Sequence, residues 1–230
     1  MKTNKYEINN VRDFLKIRNL KENETAIISI NNDIDFNNVL FTPIKTNNNT
    51  IIIDGNNNKI TNLNIENKDQ ENTGIFDKVK NIYVRDLEVD DFNINGGVCT
   101  GLLAGQVEHT ALINNSKFKG AVLSEAYAGC LFGVTNKLYV LNSNIESYVK
   151  GIDVVGGIVG LTSDLKQKNN KVKSIIISKG KAKGNFAGYN SKAAEPYIDK
   201  VLKEAIKNLP IECSYEEMKL LEMTLKKNKR

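Results

Sequence analysis

A short apolar motif bracketed by glycine returns through the middle of this chain at an almost fixed interval. It reads Gly74-Ile75-Phe76-Asp77-Lys78, Gly101-Leu102-Leu103-Ala104-Gly105, Gly129-Cys130-Leu131-Phe132-Gly133, Gly156-Gly157-Ile158-Val159-Gly160 and Gly184-Asn185-Phe186-Ala187-Gly188, and the starting glycines stand 27 or 28 residues apart. A constant period of this length marks a solenoid, in which each unit buries its apolar face against copies of itself. Each motif is followed by further short apolar sets, such as Ile82, Val84, Leu87, Val89, Phe92 and Ile94 in one unit and Leu138, Val140 and Ile145 in another. Two or three strands per unit leave no room for the helices of an ankyrin or tetratricopeptide unit and exceed the strand content of a leucine-rich repeat. The period fits one coil of a parallel β-helix, with glycine permitting either sharp corners or close backbone approach.

The flanks depart from this beat. Asn9-Asn10 followed by Val11, Phe14, Leu15 and Ile17 predicts a short amphipathic helix with an asparagine N-cap, so residues 1–23 are read as an N-terminal cap. From Ala26 onward apolar residues alternate with polar ones, and the coils are expected over 24–190. The asparagines at Asn47 to Asn49 and Asn56 to Asn58 are read as turn and ladder residues, because Asn tolerates the left-handed backbone. Over 191–230 the pattern turns helical. Ile198, Val201, Leu202, Ala205 and Ile206 form a stripe that breaks at Pro210, and Ser214-Tyr215-Glu216-Glu217 is a capping box before Met218, Leu221 and Leu225. A C-terminal α-helical pair is therefore expected, either closing the last coil or forming an interface with a second copy or a partner.

The runs Thr100 to Gly105, Ala128 to Gly133 and Val155 to Gly160 resemble the GLUG repeat, a Gly-apolar-apolar-Gly pattern of bacterial surface proteins, and Ile51-Ile52-Ile53-Asp54-Gly55-Asn56-Asn57-Asn58 resembles the early coils of right-handed β-helices of the pectate lyase type. The resemblance covers about 50–190 and implies a right-handed parallel β-helix. It implies no particular activity, since such coils occur in adhesins, proteases, sugar-cleaving enzymes and phage proteins.

Composition narrows the setting. Lys and Arg number 32 against 27 Asp and Glu, a balance of +5 that leans toward acidic partners. The polar start Met1-Lys2-Thr3-Asn4-Lys5-Tyr6-Glu7 lacks an apolar signal core, and no stretch approaches the roughly 18 apolar residues of a membrane span. The expectation is a chain working in the cytoplasm of a host cell, away from membranes. Cys99, Cys130 and Cys213 are odd in number and far apart, which fits buried free thiols better than a disulfide framework.

Carboxylates are the first chemical candidates. Asp86, Glu88, Asp90 and Asp91 are the densest acidic cluster, and paired carboxylates serve as acid and base across a glycosidic bond. The Asn-Thr-Asp, Gly-His-Gly and Arg-Ile-Lys runs expected of a polygalacturonase-like enzyme do not occur, and alternation reads Asp86 and Glu88 as outward, solvated charge. His109 is the sole histidine and is read as exposed at a coil corner; neither zinc spacing nor a phosphate loop is present, so no metal or cofactor is expected. The strongest surface feature is basic. Lys166, Lys168, Lys171, Lys173, Lys179, Lys181 and Lys183 follow Asp164 without an intervening acidic residue. Alternation over Lys179-Gly180-Lys181-Ala182-Lys183 predicts three ammonium groups on one strand face roughly 6.5 to 7 Å apart.

The sequence reading is thus of a non-enzymatic β-helix that binds a macromolecule through a charged face. The expected partner is an acidic protein surface or nucleoprotein complex, or a nucleic-acid backbone, with self-association through the C-terminal helices left open. An inhibitor or adaptor from a phage or mobile element fits this profile. The competing readings are a carbohydrate-active β-helix using the acidic cluster and an adhesin-like surface protein.

Overall fold

The computed structural model describes residues 2–190 apart from Asn38 and Lys181. The expected C-terminal helical pair, Cys213 and Lys181 lie outside the described residues. The chain opens with β1 (Thr3–Ile8), α1 (Val11–Phe14) running into a 3-10 segment (Leu15–Asn19), β2 (Thr25–Ile30), β3 (Ile34–Asp35), β4 (Thr50–Asp54), β5 (Lys59–Thr61), β6 (Asn64–Asn67) and β7 (Asn72–Thr73). Regular coils follow: β8 (Phe76–Arg85), β9 (Glu88–Gly96) and β10 (Cys99–Thr100), then β11 (Ala104–Asn114), β12 (Lys117–Leu123) and β13 (Tyr127–Gly129). The last are β14 (Phe132–Leu141), β15 (Asn144–Gly151) and β16 (Val154–Gly156), then β17 (Val159–Lys168), β18 (Lys171–Ser178), β19 (Ala182–Gly184) and β20 (Ala187–Asn190).

Every strand pairs in parallel with its counterpart one coil away, giving three walls. The long wall runs β1-β2-β4-β8-β11-β14-β17-β20, the second wall β18-β15-β12-β9-β5-β3 with β6 also on β9, and the short wall β19-β16-β13-β10-β7. The fold is an all-β parallel solenoid of about six turns with one short helix, as the glycine period predicts.

Asparagine and glycine divide the labour at the corners. Where the long wall turns into the second wall, Asp86, Asn115, Asn142 and Asn169 take φ values of 52°, 47°, 50° and 57°. This left-handed backbone suits a short polar side chain that bonds locally. Side chains bond from coil to coil along this corner: Asn115 donates to Asp86, Asn142 Nδ2 to Asn114 Oδ1, the neighbour of Asn115, at 3.1 Å, and Asn169 Nδ2 to Asn142 Oδ1 at 3.1 Å. Glycine serves the other purpose. Among the described residues no glycine has a positive φ. At Gly156 a Cβ would stand 2.0 Å from the Val159 carbonyl oxygen and 2.5 Å from the Gly188 nitrogen. The motif glycines therefore permit close packing of backbone on backbone, and of the two uses the sequence allowed, this is the one realised.

Between those glycines the apolar pairs turn inward: Leu102 and Leu103, Cys130 and Leu131, and Ile158 and Val159 are all fully buried. Each such side chain contributes about 1.5–3 kcal/mol by leaving water. At the N-terminal end Asn10 caps α1 as expected, its side chain accepting from the Arg12 N–H at 3.0 Å. Phe14 packs edge-on against Phe36 and Phe41 with ring centroids 5.5 and 6.2 Å apart, which seats the helix on the core. Ahead of the helix, however, Thr3–Ile8 is a strand paired with β2 from Thr3↔Thr25 to Ile8↔Ile30. Its signal was the alternation Asn4, Tyr6, Ile8, masked by the polar residues between.

Candidate functional site

The second wall presents an outward face on which residues from successive coils line up. One column runs Lys59, Glu88, Lys117, Asn144, Lys171 and the next Thr61, Asp90, Lys119, Glu146, Lys173. In the earlier coils these charges satisfy one another. Lys59 Nζ lies 2.8 Å from Asp90 and 3.3 Å from Glu88, Lys117 Nζ 3.3 Å from Glu88, and Lys119 Nζ 3.9 Å from Asp90. The hydrogen bond from Lys59 holds the Asp90 carboxyl below its ordinary range, so it stays ionised, a poor proton donor at neutral pH.

The four acidic residues do not form one cluster. Asp86 sits at the left-handed corner, where its carboxylate receives Asn115, and not on the strand face where alternation had placed it beside Glu88. Asp91 is the extra residue of a β-bulge, since Lys119 pairs with Asp90 and Gly120 with Phe92, and it turns to solvent at a φ of 56°. Glu88 and Asp90 alone share the outward face, divided among lysines.

The basic run is distributed around the last coil. Lys166 and Lys168 lie on β17 in the long wall, Lys171 and Lys173 point outward from β18 in the second, and Lys183 lies on β19 in the short wall. Lys166 is already engaged, 3.6 Å from Asp164 and 5.7 Å from the centre of the Tyr139 ring. The alternating strand expected over Lys179 to Lys183 does not form. Lys179 and Gly180 make the bend between walls, and β19 starts at Ala182, because the chain must turn there.

Beside Lys171 and Lys173 stands a feature that charge alone does not reveal. Along β18 the inward residues are Val172, Ser174, Ile176 and Ser178, which leaves Ile175 and Ile177 outward at 65% and 43% exposure. Ile175 pairs with Tyr148, itself exposed, and Tyr148 with Ala121; Ile177 pairs with Lys150, and Lys150 with Leu123. The result is an apolar strip flanked by Lys171, Lys173 and Lys150. Its signal was present in the run Ile175-Ile176-Ile177, since alternation cannot turn three consecutive residues inward.

Other candidates resolve differently. His109 lies inside β11 at a bulge where Val107 pairs with Val79 and Thr110 with Asn81, not at a corner; it is half-buried, and its Nδ1 has no partner among the described residues. Cys99 and Cys130 are buried free thiols, with burial raising them to about 11 and about 12, far from the thiolate a nucleophile requires. Among the described residues no group of three or more His, Cys, Asp or Glu is placed to hold a metal ion. An open cleft of about 410 Å³ lies between the early loops, lined in part by Lys45, Glu71, Asn72 and Asp77. There Asp77 Oδ1 is bound by the backbone N–H groups of Thr46 at 2.9 Å and Lys78 at 2.6 Å, so this carboxylate holds a loop in place.

No protein-family model matches the chain, and no curated protein does. Among solved structures, a putative immunoglobulin A1 protease from Bacteroides ovatus is similar in fold, with a TM-score of 0.57 at 15% identity over 79% of this chain and 70% of that one. At that identity the likeness concerns the coil architecture.

Proposed function

We propose that this solenoid acts by binding, not by catalysis, and that it docks an acidic protein surface on the outward face of its last coil. The observation that carries the reading is the strip of Ile175, Ile177 and Tyr148 flanked by Lys171, Lys173 and Lys150. Exposed isoleucines with a mainly basic rim, Glu146 opposite Lys173 being its one carboxylate among these neighbours, have the composition of a recognition surface: apolar centre for affinity, ammonium rim for orientation. A protein partner is favoured over a nucleic-acid backbone because aliphatic side chains offer bases no stacking platform and no bidentate contact. In its narrower form the proposal makes the chain an inhibitor or adaptor of a host complex. It also takes the coil as right-handed, the usual hand of parallel crossovers, and its glycine pattern as of the GLUG kind.

The carbohydrate-active reading is weakened by the division of Glu88 and Asp90 among three lysines. The protease named in the similar fold lends no mechanism either, since the likeness at 15% identity is one of coil architecture. The test is affinity purification of the tagged protein and its Lys171→Glu/Lys173→Glu variant from host cells, with and without nuclease. Retention of one stoichiometric protein by the wild type alone, nuclease or not, is the expected result. Loss on nuclease treatment reassigns the face to nucleic acid, and equal retention by the variant overturns the proposal.

A further inference from the structure

At the opposite end of the long wall β1 closes the strand order, and among the described residues no strand pairs with its outer edge. Which groups it leaves free follows from the ladder. Thr25 N–H donates to Lys2 O and Asn31 N–H to Ile8 O, both at 2.9 Å. The even residues of β1 therefore face β2, and the backbone N–H and C=O of Thr3, Lys5 and Glu7 point away from it. The side chains of the same three residues are exposed, while Asn4 and Tyr6 are half-buried and Ile8 is buried. Such an edge is a template for another strand unless something blunts it.

We propose that β1 pairs antiparallel with β1 of a second copy of this chain, about a two-fold axis at Tyr6, continuing the long wall from one molecule into the next. Two independent features select this occupant and this register. The first is parity: an axis at Tyr6 sets Lys5 opposite Glu7 of the second copy, both with backbone groups directed into the gap, so they exchange reciprocal N–H···O=C bonds on each side of the axis. The second is charge. In that register each Lys5 ammonium faces a Glu7 carboxylate, whereas an axis at Lys5 would set the two lysines against each other. An isologous contact of this kind closes on itself, so it stops at a dimer and does not propagate. Leu15, 51% exposed on the helical segment of the same coil, adds apolar surface at this end. Asn31 Nδ2, just past β2, donates to the Glu7 carboxylate at 2.6 Å, so Lys5 of the second copy shares this group with it.

The contact is separate from the last-coil face, so each proposal stands or falls alone. The experiment is sedimentation of the full chain over a concentration series, for wild type, Lys5→Glu, the exchange Lys5→Glu/Glu7→Lys, and Lys5→Pro. A monomer–dimer equilibrium is expected for the wild type. Lys5→Glu turns two attractive cross-strand pairs repulsive and raises the dimer dissociation constant by about tenfold or more, and the exchange recovers it. Lys5→Pro removes an N–H that the β1–β2 ladder does not use, and so abolishes the dimer with an unchanged far-ultraviolet spectrum. A wild-type chain that is monomeric throughout overturns the proposal and makes Lys5 and Glu7 edge protection. A dimer indifferent to Lys5→Glu and Lys5→Pro, or one the exchange does not restore, overturns it equally.

Discussion

On the outward face of the second wall, β5, β9 and β12 set Glu88 and Asp90 against Lys59, Lys117 and Lys119, whereas at the far end of the same wall β18 holds Lys171, Lys173, Ile175 and Ile177. Among the described residues neither Lys171 nor Lys173 has an ion-pair partner, although Glu146 stands opposite Lys173 in the ladder. The inward faces differ in parallel. Phe118 of β12 and Val149 of β15 are 2% and 0% exposed, while Val172 and Ile176 of β18 are half-buried. Parallel pairing is common to both places, the bulge at Asp91 aside. What changes is whether the residues are satisfied by the coil's own neighbours, and this separates the part of the solenoid that supplies stability from the part that retains capacity to bind.

The largest effect expected from this contrast lies in the core. Phe118→Ala removes a ring from the closed interior of the middle coils and should cost about 3–5 kcal/mol, read as a shift in the denaturant midpoint. Ile176→Ala, on the last coil, should cost less than about 2 kcal/mol because its side chain is partly solvated before mutation. Equal costs would mean that the last coil is as well packed as the middle and would remove the distinction.

The corner ladder sharpens the same comparison at a smaller scale. Asn142 is bonded on both sides, donating to Asn114 and accepting from Asn169, whereas Asn169 donates to Asn142 and, among the described residues, is the last of the stack. Asn142→Ala loses both contacts and forces alanine into a left-handed backbone, at about 2–3 kcal/mol; Asn169→Ala should cost about 1 kcal/mol less. The outcome that breaks this reading is Asn169→Ala proving the costlier change in urea melts.

These corners also explain how far the sequence could be read. The beat from Gly74 to Gly184 reveals the coil because Gly74, Gly101, Gly129 and Gly156 each answer a contact about one period away, and a requirement repeated along the stack repeats in the sequence. The asparagine corners are legible for the same reason. Features that occur once leave no such trace. Nothing periodic announces that Asp91 is an inserted bulge residue or that β1 precedes α1. Charge alone points to Lys171 and Lys173 but spreads the basic face over three walls. Ile175 and Ile177 were passed over because isoleucine in a strand is ordinarily core.

The ion pairs of the middle coils come next in size. Asp90→Asn should change stability by about 1 kcal/mol at most, since the pair is partly solvated, and less at high salt. Its pH dependence has a definite sign. Lys59 holds the folded Asp90 carboxyl below its unfolded value of about 3.9, so the contribution is complete above that pH and is lost as pH falls through the lowered folded value. Acid unfolding of Asp90→Asn should therefore be flatter than wild type below about pH 4, while Lys171→Met/Lys173→Met should follow the wild-type curve. A Lys171→Met/Lys173→Met curve that flattens too would show hidden pairing on β18 and erase the contrast.

The smallest effect on folding is expected where the largest effect on function is proposed. Ile175→Ser replaces a side chain 65% exposed on an outward strand face, so stability should stay within about 0.5 kcal/mol of wild type. An isoleucine held in water contributes little to its own fold and carries a solubility liability, yet β18 sets two of them beside two lysines. If Ile175→Ser leaves the melt unchanged and removes partner retention, affinity and stability reside in different coils of one wall. If it destabilises the chain by more than about 1 kcal/mol, the isoleucine is packed within the molecule, and the strip belongs to the fold and not to a partner.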